Sequence, residues 1–320
     1  MKLLLGVGLP VLTVSLLAAC GSLKNEVSPG LIQKSGIQYV VNCYISPQDT
    51  LLAATVSLTN PVLTPAPING SITLESRSTV TLADGDRFVV LPFDTKRAVY
   101  AADPKTFPIR EGRTYTLTVK TADGQTLTST ATVPAAVPIQ IITLDSILNY
   151  VGTTLTKEYA AQLIWRDPPG QADFYRVAGQ FVFTTKALNT SNKPQTGQSN
   201  LFFRRNRNTG DFVNDEVLDG EVLSSLPGYL GISFSSGRNS PNPQDEVNKL
   251  TLGSTYALAR IDMALMHTDA NYYRYHEAVL RQREAGNNPF AEPVLIPNNI
   301  AGGLGCFAAY TRTVATLRIK

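Results

Sequence analysis

The residue whose setting dictates a reaction is Cys20. It closes the run Leu17-Ala18-Ala19-Cys20-Gly21, after a short positive start at Met1-Lys2 and an almost wholly apolar stretch from Leu3 to Leu17. That stretch is too short, and too interrupted by Gly6, Gly8 and Pro10, for a spanning helix, which needs about 20 apolar residues. It has the length of a signal-peptide core, giving a leader over residues 1–19. Small side chains before a cysteine fit the narrow cleft of a signal peptidase. The expected chemistry is diacylglyceryl transfer to the Cys20 thiol, cleavage before Cys20, and acylation of the new amine. Several acyl chains on one residue anchor firmly where a single chain binds only marginally. Ser22, where an Asp would signal retention at the inner membrane, favours the outer membrane.

Other chemistry is sparse. The chain has two histidines, His267 and His276. Zinc needs three or four N, S or carboxylate ligands in tight geometry, and a serine nucleophile needs a base beside it. The sequence has no Gly-x-Ser-x-Gly elbow and no phosphate-cradling Gly-x-x-x-x-Gly-Lys run. No catalytic residue, metal or cofactor is expected. Asp211, Asn214, Asp215, Glu216 and Asp219 gather the oxygen ligands that calcium takes, but off the EF-hand spacing, so a solvated acidic loop is the stronger reading and calcium the lesser one. Asp215 and Glu216 are adjacent, and neighbours on a strand point to opposite faces, which argues against a catalytic pair. Arg204, Arg205 and Arg207 after Phe202-Phe203 make the densest basic patch, an exposed hairpin end able to meet anionic headgroups. A net charge of +3 without a basic stripe excludes a nucleic-acid signature. Cys43 and Cys306 either pair in an oxidising compartment or, the favoured reading, stay separately buried, since two distant cysteines make no framework.

The elements around these residues read as mainly β. Thr, Ser, Val, Pro and Gly are frequent and helix-rich blocks are scarce. Residues 20–36 form a flexible polar tether. From Ile37 the pattern alternates with period two. Tyr39, Val41 and Cys43 point one way, and Thr55 to Leu58, Ile72 to Glu75 and Val80 to Leu82 continue the pattern. Asp84-Gly85 and Asp123-Gly124 are hairpin turn signals, the latter between Tyr115, Leu117, Val119 and the returning Leu127, Ser129, Ala131, Val133. These strands predict an immunoglobulin-like β-sandwich over 37–138. Two prolines make Val133 to Pro138 a stiff connector. A second antiparallel β domain follows over 139–320, with strands at Ile139–Ile142, Ala161–Trp165, Phe174–Thr184 and Ser254–His267 and an exposed loop at 186–200. Asp167-Pro168-Pro169-Gly170 stops one strand. One α-helix is expected near 270–285, capped by Thr268 or Asp269 and ended by Gly286, with Tyr272, Tyr275, Val279 and His276 on its apolar stripe.

The segment Asn288 to Ala309 mixes Pro, Gly and apolar residues and reads as a pinned surface loop. Asn288, Pro289, Phe290, Glu292, Pro293, Asn298, Gly302 and Gly303 are its candidate interaction residues.

Asn288-Pro289-Phe290-Ala291-Glu292-Pro293 followed by Pro297-Asn298-Asn299-Ile300-Ala301-Gly302-Gly303-Leu304-Gly305-Cys306-Phe307 resembles the end motif of a Bacteroidota lipoprotein family, domain of unknown function 4249. Asp167 to Gly170 with Phe174 to Val177 is similar to its central motif, and Phe212 to Leu223 to its next block. Tyr39 to Ile45 and Gly112 to Leu117 are similar to its first half. Ala308-Ala309 departs from a frequent Gly-Gly. The resemblance implies an outer-membrane lipoprotein, often encoded beside a TonB-dependent receptor with a carboxypeptidase-regulatory-like extension, hence a transporter partner. It carries no catalytic residues. The expected function is a non-enzymatic accessory module on a lipid anchor. The alternative is a surface lipoprotein that binds or hydrolyses glycans or peptides.

Overall fold

The computed structural model describes residues 37–59, 73–151, 154–188, 194–205, 208–209, 211–235, 256–285, 292 and 294–319. Cys20, the tether, Ile72, Arg207, Gly286, Asn288, Pro289, Phe290 and Pro293 lie outside them. The first strands are β1 (Tyr39–Ile45), β2 (Leu52–Leu58), β3 (Thr73–Leu74), β4 (Thr79–Asp84), β5 (Arg87–Leu91), β6 (Phe93–Asp94), β7 (Val99–Ala102), β8 (Thr114–Lys120) and β9 (Thr126–Thr132). After them come β10 (Ile139–Val151), β11 (Thr154–Arg166), β12 (Phe174–Leu188), β13 (Pro194–Asn200), β14 (Phe202–Arg205), β15 (Asn208–Thr209), β16 (Phe212–Asn214), β17 (Val222–Ser224), β18 (Gly228–Ser235) and β19 (Tyr256–Thr268). Helix α1 (Ala270–Ala285) and β20 (Leu304–Arg318) close the order. Among the described residues the protein is mainly β, with several antiparallel sheets and one helix towards the C-terminus.

The period-two pattern settles which faces are buried. Tyr39, Val41, Cys43 and Ile45 of β1 face Tyr115, Leu117 and Val119 of β8 and Leu127 and Ala131 of β9 in one core. The threonines between them stay outside, because successive side chains on a strand alternate faces. The four-stranded sheet β5-β4-β8-β9 forms the opposite layer of this sandwich. Tyr115 Oη accepts the Arg110 N–H at 2.8 Å, a tie of the tyrosine-corner kind found in immunoglobulin-like sandwiches. At the first turn signal, Asp84 pairs with Arg87, so the central residues are Gly85 and Asp86 rather than Asp84 and Gly85. The second signal sits in a longer loop between Lys120 and Thr126, with Gly124 at positive φ.

The second core lies between β10-β11-β18 and β12-β19 around Trp165, Tyr175, Phe181, Leu163, Ile261, Met263 and Leu265. The expected loop at 186–200 is a strand over much of its length: Pro194–Asn200 pairs with β12 from Gln180 to Leu188. Its polar residues suit an edge position, where charge and polarity protect a strand from mispairing.

The larger departure from expectation is the C-terminal segment. Leu304 to Ala309 is no surface loop. It is the first half of β20 and pairs in parallel with β1, Cys43 lying opposite Phe307. The second half of the same strand pairs antiparallel with β19, from Thr268–Tyr310 to Arg260–Arg318. One ten-stranded sheet therefore runs through both halves of the protein along the path β13-β12-β19-β20-β1-β2-β7-β6, with β16 beside β12 and β3 beside β2 off that path. Phe307 and Ala309 enter the first core. Cys306 and Ala308 face the other way, beneath α1. Because β1 pairs Asn42 with Cys306, Cys43 and Cys306 point to opposite faces of one sheet, and both are free thiols. Burial pushes the Cys43 thiol up to about 12.

Helix α1 lies across this shared sheet. Tyr272, Tyr273 and Ala278 are its buried residues, against Phe174, Met266 and Tyr310 and also Tyr44 of β1. Its footing is thus on both halves, and Tyr273 and Ala278 take the place expected for Val279. Asp269 caps the helix: Oδ1 accepts the Tyr272 N–H at 2.8 Å. Its Oδ2 accepts the Ala309 N–H at 2.9 Å, and its own N–H donates to Ala309 O at 2.9 Å. One side chain therefore starts the helix and covers the open edge of β20. Asp269→Ala is expected to cost about 2 kcal/mol, one cap plus one charge-assisted hydrogen bond, read from denaturant midpoints. Burial pushes this carboxyl up from 3.8 to about 6. A raised carboxylate favours the folded state while protonated, so its contribution is full below the unfolded value and is lost as pH rises through about 6. The stability of the wild type relative to Asp269→Asn should fall across that window; a flat difference would refute the assignment.

Candidate functional site

Strand β11 ends because Pro168 and Pro169 have no N–H to continue the ladder. Asp167 makes the last pairing, its N–H donating to Glu221 O at 2.9 Å. The chain turns at Gly170, at positive φ, and re-enters as β12 three residues after Gln171. A second loop, Asp215 to Glu221, folds against this turn. It is built from Leu218 N–H to Asp215 O at 2.7 Å and Glu221 N–H to Leu218 O at 3.0 Å. Gly220 has φ +74 and touches Pro169 so closely that a Cβ would lie 2.9 Å from the proline Cβ. The loops exchange hydrogen bonds. Gly220 N–H donates to Asp167 Oδ2 at 3.0 Å and Gly170 N–H to Asp219 Oδ1 at 2.8 Å.

This interlock brings three carboxylates together. Asp167, Asp215 and Asp219 each offer an oxygen, and these atoms lie within 4.8 Å of one another. Asp167 is 1% exposed and Asp215 3% exposed, while Asp219 stands at the surface. Asp167 Oδ1 also accepts the Tyr175 hydroxyl, whose ring stacks on His267 with centroids 5.0 Å apart. Beside them Asp173, 2% exposed, places Oδ1 3.0 Å from His267 Nε2 and accepts from Gln171 Nε2 at 2.9 Å. Its Oδ2 is buried without a partner. His267 Nδ1 donates to Ala135 O at 2.7 Å, since a carbonyl can only accept. Thr311 Oγ1 donates to the same oxygen at 3.2 Å, so the proline connector is fixed to the second core. Burial pushes the Asp215 carboxyl up; the Asp173 backbone opposes this, and the Asp167 charge adds to it.

Asp215 is thus buried rather than part of a solvated loop, and the sequence reading missed its partner Asp167. The available signal is the Asp-Pro-Pro-Gly run, which the sequence shows as a strand stop and as part of the central motif of the resemblance but not as a source of a buried acid. Glu216 is exposed and takes no part. Asp211 pairs instead with Arg176 at 3.1 Å, and Asn214 lies in β16. The side chains of Arg204 and Arg205 are outside the described residues. The two histidines are kept apart. His276 sits among Tyr44, Tyr272 and Tyr275, where burial pushes it down to about 4.

Of the candidate interaction residues, Glu292 is exposed. Asn298 and the glycines build the entrance to β20. Asn298 Nδ2 donates to Gly303 O at 2.9 Å and its Oδ1 accepts the Ile300 N–H at 3.0 Å. A Cβ on Gly302 would lie 3.0 Å from Thr126 O, and one on Gly303 3.0 Å from Tyr39 O. Next to them Asn299 pairs with both backbone groups of Phe307, at 2.6 and 3.0 Å, as a strand neighbour would.

A family model described as a domain of unknown function (DUF4249) matches residues 24–316. No curated protein matches this chain. Among solved structures, the C-terminal globular domain of an oligosaccharyltransferase from Pyrococcus abyssi is 10% identical, with a TM-score of 0.15. The alignment covers 89% of this chain but only 48% of that one, so this chain spans about half of its length.

Proposed function

The chain belongs to the family of the domain of unknown function 4249, and from that premise we propose that it is a lipid-anchored outer-membrane lipoprotein. In this reading it is a non-enzymatic accessory module of a TonB-dependent outer-membrane transporter. The observation that carries the proposal is Cys20 directly behind Leu17-Ala18-Ala19 at the end of a signal-peptide core. Acylation there holds a folded β body at a bilayer surface through the polar tether. The hydrolytic alternative draws less support. The acids that converge, Asp167 and Asp215, are enclosed, and both Asp167 oxygens already accept hydrogen bonds. A substrate bond has no open approach to them.

Two measurements test the proposal. A Cys20→Ser chain is expected to leave the membrane fraction or to retain its leader uncut. A chain that stays firmly membrane-bound with normal cleavage would overturn the anchor. Affinity purification of the tagged lipoprotein in mild detergent is expected to recover a TonB-dependent receptor. Recovery of no outer-membrane protein would overturn the partnership and leave the anchor standing.

A further inference from the structure

We propose that a second copy of this chain docks on the free edge of β10, the two β10 strands running antiparallel with Leu144 at their centre. Strand β10 ends its sheet: among the described residues it pairs with β11 on one side and with no strand on the other. Exposed edges normally carry devices against pairing, such as short length, proline, charge or a covering segment. The ends of the other sheet paths have them. β6 and β15 are two residues long, β13 starts at Pro194 and is polar, and β5 starts at Arg87. β9 is covered in part by Ala301, which bridges to Thr128. By contrast β10 has 13 residues, Asp145 as its sole charge, and no proline. Ile141 and Ile147 stand out from it with 53% and 54% of their surface exposed. Thr143 and Asp145 lie between them on the same exposed face.

The ladder limits the registers that a two-fold pair can use. Leu163 O accepts the Ser225 N–H at 2.9 Å, so the odd-numbered residues of β11 turn their backbone groups towards β17 and β18. Its even-numbered residues therefore bond to β10, where Ile164, Gln162 and Ala160 lie opposite Ile141, Thr143 and Asp145. That leaves the N–H and C=O groups of Ile142, Leu144 and Ser146 at the free edge. Opposite residues of an antiparallel pair are either both hydrogen-bonded or both not, so odd positions must face odd and even must face even. A centre at Asp145 would set two like charges opposite each other, which destabilises a pair. Centres at Thr143 or Ser146 would set Asp145 against Ile141 or Ile147. A centre at Leu144 sets Ile141 opposite Ile147 of the second copy and Thr143 opposite its Asp145, each contact made twice about the axis. The exposed isoleucines then cover each other, and the threonine hydroxyl can donate to the carboxylate. Ile142 exchanges backbone hydrogen bonds with Ser146 of the second copy, and Leu144 with its own counterpart. Two six-stranded sheets become one continuous sheet across a self-complementary interface.

The experiment uses the full chain purified in mild detergent. In this register Ile141 and Ile147 form non-hydrogen-bonded pairs, whose Cα atoms lie about 4.5 Å apart, a distance that a disulfide can span. A chain carrying both Ile141→Cys and Ile147→Cys is expected to give a covalent dimer under a mild oxidant, and neither single variant to do so. Along one strand the two positions are about 20 Å apart, so the bond cannot close within one chain. In sedimentation the wild type is expected to be a dimer. Ile141→Lys and Ile147→Glu should each weaken association about tenfold or more, and the two combined should restore it, since each lysine then faces a glutamate. Both side chains are more than half exposed, so folding should survive, as circular dichroism will show. A monomeric wild type, a dimer that neither single substitution weakens, no recovery in the combined variant, or crosslinking of the double-cysteine chain to a different protein instead of itself would each overturn the proposal.

Discussion

A Gly305→Ala chain is expected to accumulate poorly and, where recovered, to unfold at a far lower denaturant concentration than the wild type. Gly305 has φ +114, outside the small left-handed region that side chains with a Cβ can enter. The added carbon would also collide with the Val41 carbonyl oxygen across the β1–β20 pairing. That oxygen belongs to backbone, so neither strand can swing a side chain aside. Relief requires separating two strands whose residues two positions further on, Cys43 and Phe307, are closed into the first core. Backbone strain alone costs about 1–3 kcal/mol, and the disrupted pairing takes the total to about 4 kcal/mol or more, in the range that marks exceptional substitutions. Gly124→Ala is the control. Gly124 also has positive φ, +89, yet a Cβ there would meet nothing within 4 Å. It should cost only the strain. Similar losses for the two variants would show that close approach at Gly305 does not matter.

The second large effect concerns residues 37–138 expressed alone. They contain every strand from β1 to β9 and are expected to show no cooperative unfolding transition. Cutting the chain there removes β20 from the edge of β1 and takes Phe307, Ala309 and Ile300 out of the first core. Losing a buried Phe costs about 3–5 kcal/mol and a buried Ile about 2–5, against a total stability of about 5–15 kcal/mol for a small domain. The exposed β1 edge adds a site for wrong pairing. Joining residues 297–311 to the fragment through a flexible linker should restore a single transition in circular dichroism. A fragment that folds cooperatively without them would show that the sandwich is self-sufficient.

Both predictions rest on a part of the fold that the chain order concealed. The segment Pro297 to Ala309 is rich in Asn, Gly and Pro, the residue types of loops. Its asparagines do act locally, but Asn299 imitates a strand neighbour for Phe307 rather than making a turn. Burial on both faces explains why no alternation marks Gly305-Cys306-Phe307-Ala308-Ala309: one side meets the first core and the other meets α1. Period-two reading finds strands with one wet face, and here there is none. The acid cluster was hidden for a related reason. Asp215 and Asp219 are close in sequence, but Asp167 reaches them only because β11 and β17 are paired, Trp165 opposite Leu223.

Taken alone, the order of residues determined the strand content of β1, β8, β9 and β19 and the helix near 270–285, with its cap narrowed to Thr268 or Asp269. These depend on local properties: side chains alternate along an extended backbone, and a carboxylate can satisfy helix N–H groups a turn away. The tertiary structure alone decided that β20 belongs to both halves, that Cys43 and Cys306 face apart, and that three aspartates from two loops share one corner. Each of these is a pairing between distant segments, and such pairings are set by which surfaces can be buried together rather than by any residue's neighbours in the chain.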